Sequence, residues 1–320
     1  MMKIAPILFM FLSAVAFAED VNLSVRVLDE AGWPVTNAVV SVETQNRLLI
    51  GYGTRPSHFS WVSNTTDRAG VARIRFQCLT ADFRCYVQAA GFYPERNMHG
   101  RFQAKEGVGL GMDFLSTSTN MDFVLRRRIN PIPMYSHGAM LNLKMPGSHG
   151  RFGYDLKVCD WTTPHGRGVF PDFFVECDLL EEGETLQYHG KIVFADAHAG
   201  AYVQKKIGAW QFRSVYEADT NHVFASVLTS RIMAHAADSS RNEIDDIVGE
   251  DEYLVLRTRT KCNAKGELVE ANYTKMYGPV RIDRKFRFQQ SSFNPNVNDP
   301  NLEFDIYRNL NLKSRNSTSP

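Results

Sequence analysis

What the chain lacks narrows it first. Neither charge is in surplus: 36 Lys and Arg face 35 Asp and Glu in 320 residues, a formal net charge of +1. That removes the electrostatic footprint by which proteins hold nucleic acid or anionic membrane surfaces. Glycine (22) and proline (13) are near average, which excludes collagen-like and linker-dominated chains. There are five cysteines, none in the C-x-x-C spacing of zinc or redox sites. Local catalytic signatures are missing too: no G-x-S-x-G nucleophile elbow, no H-E-x-x-H, no two His at i, i+4. No cofactor motif stands out either. What is present, 44% hydrophobic and 22% charged residues, is the composition of a well-cored globular protein, and the length suggests about two domains.

Long apolar runs are also scarce; there is one, at the start. Lys3 supplies a positive charge, Ile4 to Val15 are apolar apart from Pro6 and Ser13, and Ala16-Phe17-Ala18 is an A-x-A cleavage site. The run is too short to cross a bilayer, so residues 1–18 read as a cleaved signal peptide, with a retained anchor as the alternative. The expected mature chain begins at Glu19, is formally neutral without Lys3, and is secreted or periplasmic, with no transmembrane segment.

Export makes the cysteines candidate disulfide partners. In residues 72–78 the apolar phase holds Ala72, Ile74, Phe76 and Cys78; in 85–89 it holds Cys85, Val87 and Ala89. A hairpin of these two strands would bring both sulfurs to one face at its mouth, so a Cys78–Cys85 disulfide is expected. The pairing of Cys159, Cys177 and Cys262 is not determined by phase, and one thiol is left over.

Residues 19–128 read as some seven short strands. Val21 to Val27 alternate strictly, Asp29 to Val35 turn around Gly32 and Pro34, and Ala38 to Glu43 form a second strand. Leu48 to Phe59 reads as a loop, Trp61-Val62-Ser63 leads to a turn at Thr66 to Gly70, and strands follow at 72–78, 85–90 and 120–125. Such spacing predicts a β-sandwich. The segments V-R-V-L-D-E-A-G-W-P-V-T-N-A-V-V-S-V, T-D-R-A-G-V-A-R-I and Y-V-Q-A-A-G-F, in an order and spacing that match along residues 21–93, resemble the carboxypeptidase regulatory-like and transthyretin-like β-sandwich family. The resemblance covers about a quarter of the chain. It implies an Ig-like or transthyretin-like sandwich that serves as a non-catalytic appendage, and it brings no catalytic residues.

Arg126-Arg127-Arg128 is either a solvated edge or a contact for an acidic partner. Residues 129–136, with Pro131 and Pro133, read as a stiff extended linker. Strand patterns recur through 137–310, at 139–145, 152–158, 173–180, 185–194, 209–216, 253–261, 268–277 and 284–290, giving a second sandwich-like domain. Leu254 to Tyr273, turning at Asn263 to Gly266, is a hairpin; 221–236 is a helix or a strand pair; 291–320 is irregular, with a disordered tail at 311–320. This half resembles the carboxy-terminal part of uncharacterised secreted bacterial proteins, a likeness that implies no activity.

Chemistry-bearing residues are few and scattered. Gly147-Ser148-His149-Gly150 reads as a turn, since adjacent strand side chains point to opposite faces. Asp196 and His198 could be two metal ligands in need of a third, or an ordinary polar contact. The acidic stretch from Asp238 to Glu252 is a solvated loop or a Ca²⁺ site without the alternating ligand order. The sequons at Asn22, Asn64, Asn272 and Asn316 matter only in a eukaryotic secretory pathway. The most suggestive segment is Asp160 to Pro171. It spends Trp161, His165, Arg167 and Phe170 among Gly and Pro, which is an aromatic platform with polar contacts, suited to a sugar or peptide. The alternative is that Trp161 and Phe170 cap the second core. The sequence therefore indicates an exported, all-β, non-enzymatic binding or structural protein, with a glycan or protein outside the cytoplasm as partner. The competing class is an extracytoplasmic carbohydrate- or peptide-processing hydrolase acting from the second domain.

Overall fold

The computed structural model describes residues 19–45, 59–78, 82–101, 104–106, 112–114, 116–138, 141–207, 212–235 and 242–311. The signal segment, most of the 48–59 loop, residues 238–241 of the acidic stretch and the tail from 312 lie outside them. All regular structure among the described residues is β-strand, and the chain divides into two compact units, Met1–Arg127 and Arg128–Pro320.

In the first unit the strands are β1 (Glu19–Asp29), β2 (Val39–Gln45), β3 (Phe59–Thr65), β4 (Val71–Cys78) and β5 (Asp82–Gln88). They are followed by β6 (Glu95–Arg101), β7 (Ala104–Glu106), β8 (Met112–Phe114) and β9 (Ser118–Leu125). One sheet has the order β4-β1-β9, the other β3-β2-β5-β6, and β7-β8 is a small ribbon. β1 is central: it runs antiparallel to β4 and parallel to β9, with Asn22 opposite Ser118. Alternation turns Val21, Leu23, Val25 and Val27 inward, where they share one core with Val40, Val42, Cys85 and Val87 of the other sheet. The first unit is thus a two-sheet sandwich. Its turns follow the local chemistry. Asp29 Oδ1 accepts the N–H groups of Ala31 and Trp33, and Gly70 (φ +73°) packs so tightly that a Cβ would lie 2.6 Å from the Val27 carbonyl.

Two expectations are corrected here. β4 pairs with β1 and β5 with β2 and β6, so the two Cys-bearing strands are not a hairpin but lie in different sheets. The expected Cys78–Cys85 disulfide loses the hairpin that was to form it, and Cys85 stands as a buried free thiol. Phase told which face each strand buries, not which strand lies beside it. The arginine run is not simply solvated: Arg126 pairs with Glu30 at 2.8 Å, Arg127 with Asp29 at 2.7 Å, and Arg128 with Asp305 at 3.8 Å.

The second unit holds β10 (Tyr135–His137), β11 (Leu141–Lys144), β12 (Arg151–Asp155), β13 (Asp160–Trp161), β14 (Phe173–Glu182), β15 (Thr185–Val193) and β16 (Gly200–Lys205). Then come β17 (Val227–His235), β18 (Glu243–Asp245), β19 (Glu252–Cys262), β20 (Leu268–Tyr277), β21 (Arg281–Ile282), β22 (Lys285–Phe288) and β23 (Gln290–Phe293). They build three sheets, β10-β23-β20-β19-β16, β13-β12-β14-β15-β17-β18 and β11-β22-β21. One large core, with Tyr154, Trp161, Phe173, Ile192, Leu254, Leu256 and Phe286, joins the faces of these sheets. The far side of β19 and β20 carries a second cluster that includes Tyr253, Val255 and Tyr273 under Leu302. Both faces of β19 are therefore covered, so its burial runs on without alternation.

Here too some expectations change. The 221–236 ambiguity resolves as strand, β17 pairing with β15. The expected strand at 209–216 is irregular over 212–216. Residues 129–136 do not stand free as a linker. The N–H groups of Ile129 and Asn130 donate to the Glu303 carboxylate, Ile132 bridges to Phe304, and β10 joins the β23 edge. The segment expected to be irregular from 291 begins instead as the buried strand β23. Its Ser292 Oγ lies 3.0 Å from Ser136 Oγ, which satisfies a polar pair in the interior.

Candidate functional site

The segment from Asp155 to Asp172 returns on itself between β12 and β14, with β13 clipped to β12 through the pairs Tyr154–Trp161 and Asp155–Asp160. Its base is a buried ionic cluster that the sequence did not announce. Asp155 Oδ1 accepts the N–H groups of Lys157 (3.0 Å) and Val158 (3.2 Å), and its Oδ2 those of Val169 (2.9 Å) and Phe170 (3.1 Å). Asp172 Oδ2 accepts from Leu156 N at 2.8 Å. Between the two carboxylates sits Arg259. Its Nε reaches Asp172 Oδ1 at 2.8 Å, and its Nη2 reaches Asp172 Oδ2 at 3.0 Å and Asp155 Oδ1 at 3.1 Å. The guanidinium also lies 4.6 Å from the Phe293 ring centre and 5.0 Å from that of Phe170.

Arg259 arrives there by a β-bulge. Thr258 pairs with Asn272 and Lys261 with Glu270, so β19 carries one residue more than β20 across that interval, and Arg259 takes φ +51°. The bulge re-aims a side chain that strict alternation would direct elsewhere. Burial pushes the Asp172 carboxyl up, against the pull of Arg259, while the two aspartates hold the guanidinium above its ordinary value despite its own burial.

A smaller clasp holds the outer half. Asp160 Oδ1 accepts from Trp161 N at 2.9 Å, and Oδ2 from Arg167 Nε at 3.0 Å. Gly168 N donates to the Trp161 carbonyl, and a Cβ at Gly168 would meet Asp155 Cβ at 2.8 Å. The glycines that looked like signs of an open loop are demanded by close packing.

The four nominated residues part company. Trp161 is 3% exposed, donates Nε1–H to the Lys144 carbonyl at 2.9 Å, and meets the rings of Tyr154 (5.7 Å) and Phe152 (6.1 Å). As a stacking platform it is withdrawn: the core alternative describes it, because an indole that finds both an apolar bed and an acceptor for its N–H gains more inside than out. His165 is exposed and sets its ring 5.2 Å from Phe152, edge to face. Arg167 keeps 65% of its side chain in solvent while bound to Asp160. Phe170 is 40% exposed beside Val169 at 86%. His165, Arg167, Val169 and Phe170 therefore form an exposed tip on a fixed base.

The other nominated groups have local duties. His198 Nε2 lies 2.9 Å from the Gly266 carbonyl, and His149 Nδ1 3.4 Å from Asp178. Cys159 Sγ lies 3.1 Å from the Leu156 carbonyl, with burial pushing its thiol up to about 12; burial likewise takes Cys177 to about 11. Both are free thiols, as is the exposed Cys262. Among the described residues no group of three His, Cys, Asp or Glu side chains could hold a metal ion. Among them, too, no helix is long and apolar enough to cross a membrane.

No family model matches the chain. No curated protein matches it. Solved structures that resemble it include the major pilin SpaD of Corynebacterium diphtheriae, 9% identical over 89% of this chain and 84% of that one, with a TM-score of 0.25. The shaft pilin SpaA of Lactobacillus rhamnosus GG is 10% identical over 58% of this chain and 92% of its own, with a TM-score of 0.23. The 3-chlorocatechol 1,2-dioxygenase of Rhodococcus opacus is 12% identical over 35% of this chain, with a TM-score of 0.25. The match spans 62% of that enzyme's chain. Values this low carry no argument about chemistry.

Proposed function

We propose that the chain is an exported, non-enzymatic binding protein whose second unit offers the 165–170 tip to a protein or peptide partner. The observation that carries this reading is the contrast between the base of the loop and its tip. Asp155, Asp160, Asp172 and Arg259 fix the backbone, yet Val169 and Phe170 are left in water. Apolar side chains on a rigid, hydrogen-bonded support, with Arg167 beside them, suit a protein surface, which such anchors can enter without first being ordered. A sugar partner at this loop has lost its platform with Trp161. The hydrolase reading places its site in the second unit and needs two carboxylates facing a cleft, and there Asp155 and Asp172 are spent on Arg259 and backbone N–H groups.

Export is supported by the signal-like segment at residues 1–18. Membership of the carboxypeptidase regulatory-like class is supported by the turns at Gly32 and Gly70 and by the two-sheet core between them.

Retention on peptide and glycan arrays tests the reading, with the V169S/F170S double variant as the comparison. The wild type should be held by a subset of peptides, and the variant should lose that retention with its thermal midpoint unchanged. Failure of the wild type to be held by any peptide, or equal retention of both proteins, refutes the reading.

A further inference from the structure

We propose that the outer face of the β3-β2-β5-β6 sheet in the first unit is a saccharide-binding site, with Trp61 and Tyr86 as its stacking rings. The register assembles it. Trp61 stands opposite Glu43, Ser63 opposite Ser41, and across the next pair of strands Ser41 faces Tyr86 while Glu43 faces Arg84. Because Val40, Val42, Cys85 and Val87 take the inward phase, all of these residues share the solvent face.

Trp61 is 53% exposed, and its ring centre lies 4.9 Å from that of Tyr86 with the planes at 46°. The two rings open like a book instead of one covering the other. Beside them runs a groove of about 290 Å³, bordered by Ser41, Gln88 and Glu95. That is near the lower end of the ~300–1,000 Å³ usual for ligand sites. The polar groups are already held: Tyr86 Oη donates to Glu43 Oε2 at 3.2 Å, Arg84 Nη1 lies 3.6 Å from the same oxygen, and the Ser41 and Ser63 hydroxyls meet at 2.8 Å. A site ordered before its ligand arrives is spared that entropic cost on binding.

The chemistry selects the occupant. A pyranose has one face of C–H groups, which sits on an aromatic ring, and a rim of hydroxyls, each both donor and acceptor. Two open rings flanked by a serine, an amide and two carboxylates answer both needs. Phosphorylated or acidic ligands would meet Glu43 and Glu95. An extended peptide adding a strand would use the sheet edges at β3 or β6, not the face between them. A wholly apolar partner would cover the Ser41 and Gln88 side chains and return no hydrogen bonds. The site and the 165–170 tip belong to different units, so either proposal can fail while the other stands.

The test is titration calorimetry of the full chain with four neutral hexasaccharides, built from glucose, xylose, mannose and N-acetylglucosamine. At least one should bind, and Trp61→Ala and Tyr86→Ala should each weaken it about ten-fold or more. Trp61→Phe should keep part of the affinity. Trp33→Ala, at a tryptophan 69% exposed in the turn after β1, should leave it unchanged. Circular dichroism separates loss of binding from loss of fold; if an alanine variant does not fold, Trp61→Phe and Tyr86→Phe carry the comparison. No binding of any sugar at 10 mM ligand, undiminished affinity in every Trp61 and Tyr86 variant, or an equal loss in Trp33→Ala overturns the proposal.

Discussion

Trp161 and Trp61 are the same residue put to opposite uses. Trp161 lies in a stretch rich in Gly and Pro, which suggested display, yet it is enclosed by Phe152, Tyr154 and Phe286 and bonded to the Lys144 carbonyl. Trp61 lies in an unremarked strand of Ser, Val and Asn, and more than half of it faces solvent against Tyr86. The difference teaches that loop composition is a poor guide to exposure. Glycine marks where the backbone must come close, as at Gly168 under Asp155, as readily as where it must stay open. What decided the fate of each indole was the face of its strand and what stood opposite.

The comparison can be broken most directly at Trp161. Trp161→Ala should destabilise the second unit by about 3–5 kcal/mol, as deletion of a core aromatic does, measured by urea unfolding. A midpoint near wild type would return Trp161 to the surface and undo the contrast. Arg259→Ala should cost a similar amount, about 3–5 kcal/mol, because it leaves Asp155 and Asp172 buried without their cation. That loss should depend on pH with a definite sign. Burial already pushes the Asp172 carboxyl above its ordinary 3.8, and without Arg259 that push is opposed only by the Leu156 N–H bond. A carboxyl with a raised folded pKa favours the folded state below its unfolded value and loses that advantage as pH rises. The deficit of the variant should therefore be widest near neutrality and narrow as pH falls toward 3.8; a deficit that widened on acidification would reject the buried cluster.

Trp61→Ala should shift stability by only about 1 kcal/mol or less, since it removes one exposed ring pair and no core volume. A loss as large as that at Trp161 would mean that Trp61 is structural. The smallest effect is a rate. Cys85 precedes Tyr86 on β5 and faces the core, with its thiol pushed up to about 12 by burial. Iodoacetamide should label exposed Cys262 promptly and Cys85 only on unfolding. Prompt labelling of Cys85 would reverse the two faces of the sheet and with them the position of Tyr86.

Period-2 alternation made most of the first unit legible, and β1, β2, β4 and β9 fall where it lay. It could not show that β1 pairs with β9, or that β4 and β5 part into different sheets, because alternation fixes a face and leaves the neighbour open. The hairpin of β19 and β20 was readable from its turn residues; the bulge that delivers Arg259 was not, since nothing in Arg257-Thr258-Arg259-Thr260 marks an extra residue. β23 was hidden by its composition. Ser291 and Ser292 look like a loop until hydrogen bonds to Ser136 allow them inside. Of the candidate site, the loop was legible and its chemistry was not: phase put no flag on Trp61, whose partner Tyr86 lies two strands away.

The parallel pairing of β1 with β9 also has a consequence in time. Asn22 must wait for Ser118, 96 residues downstream, before the central strand has both its neighbours. At ~5–20 residues per second of synthesis that is roughly 5–20 s during which the first sandwich cannot close. Contacts so distant along the chain also make closure itself slow. Under the proposed export, in which the chain would be threaded through a pore before it folds, a strand that cannot complete its sheet until a hundred residues have followed would stay open through its own topology.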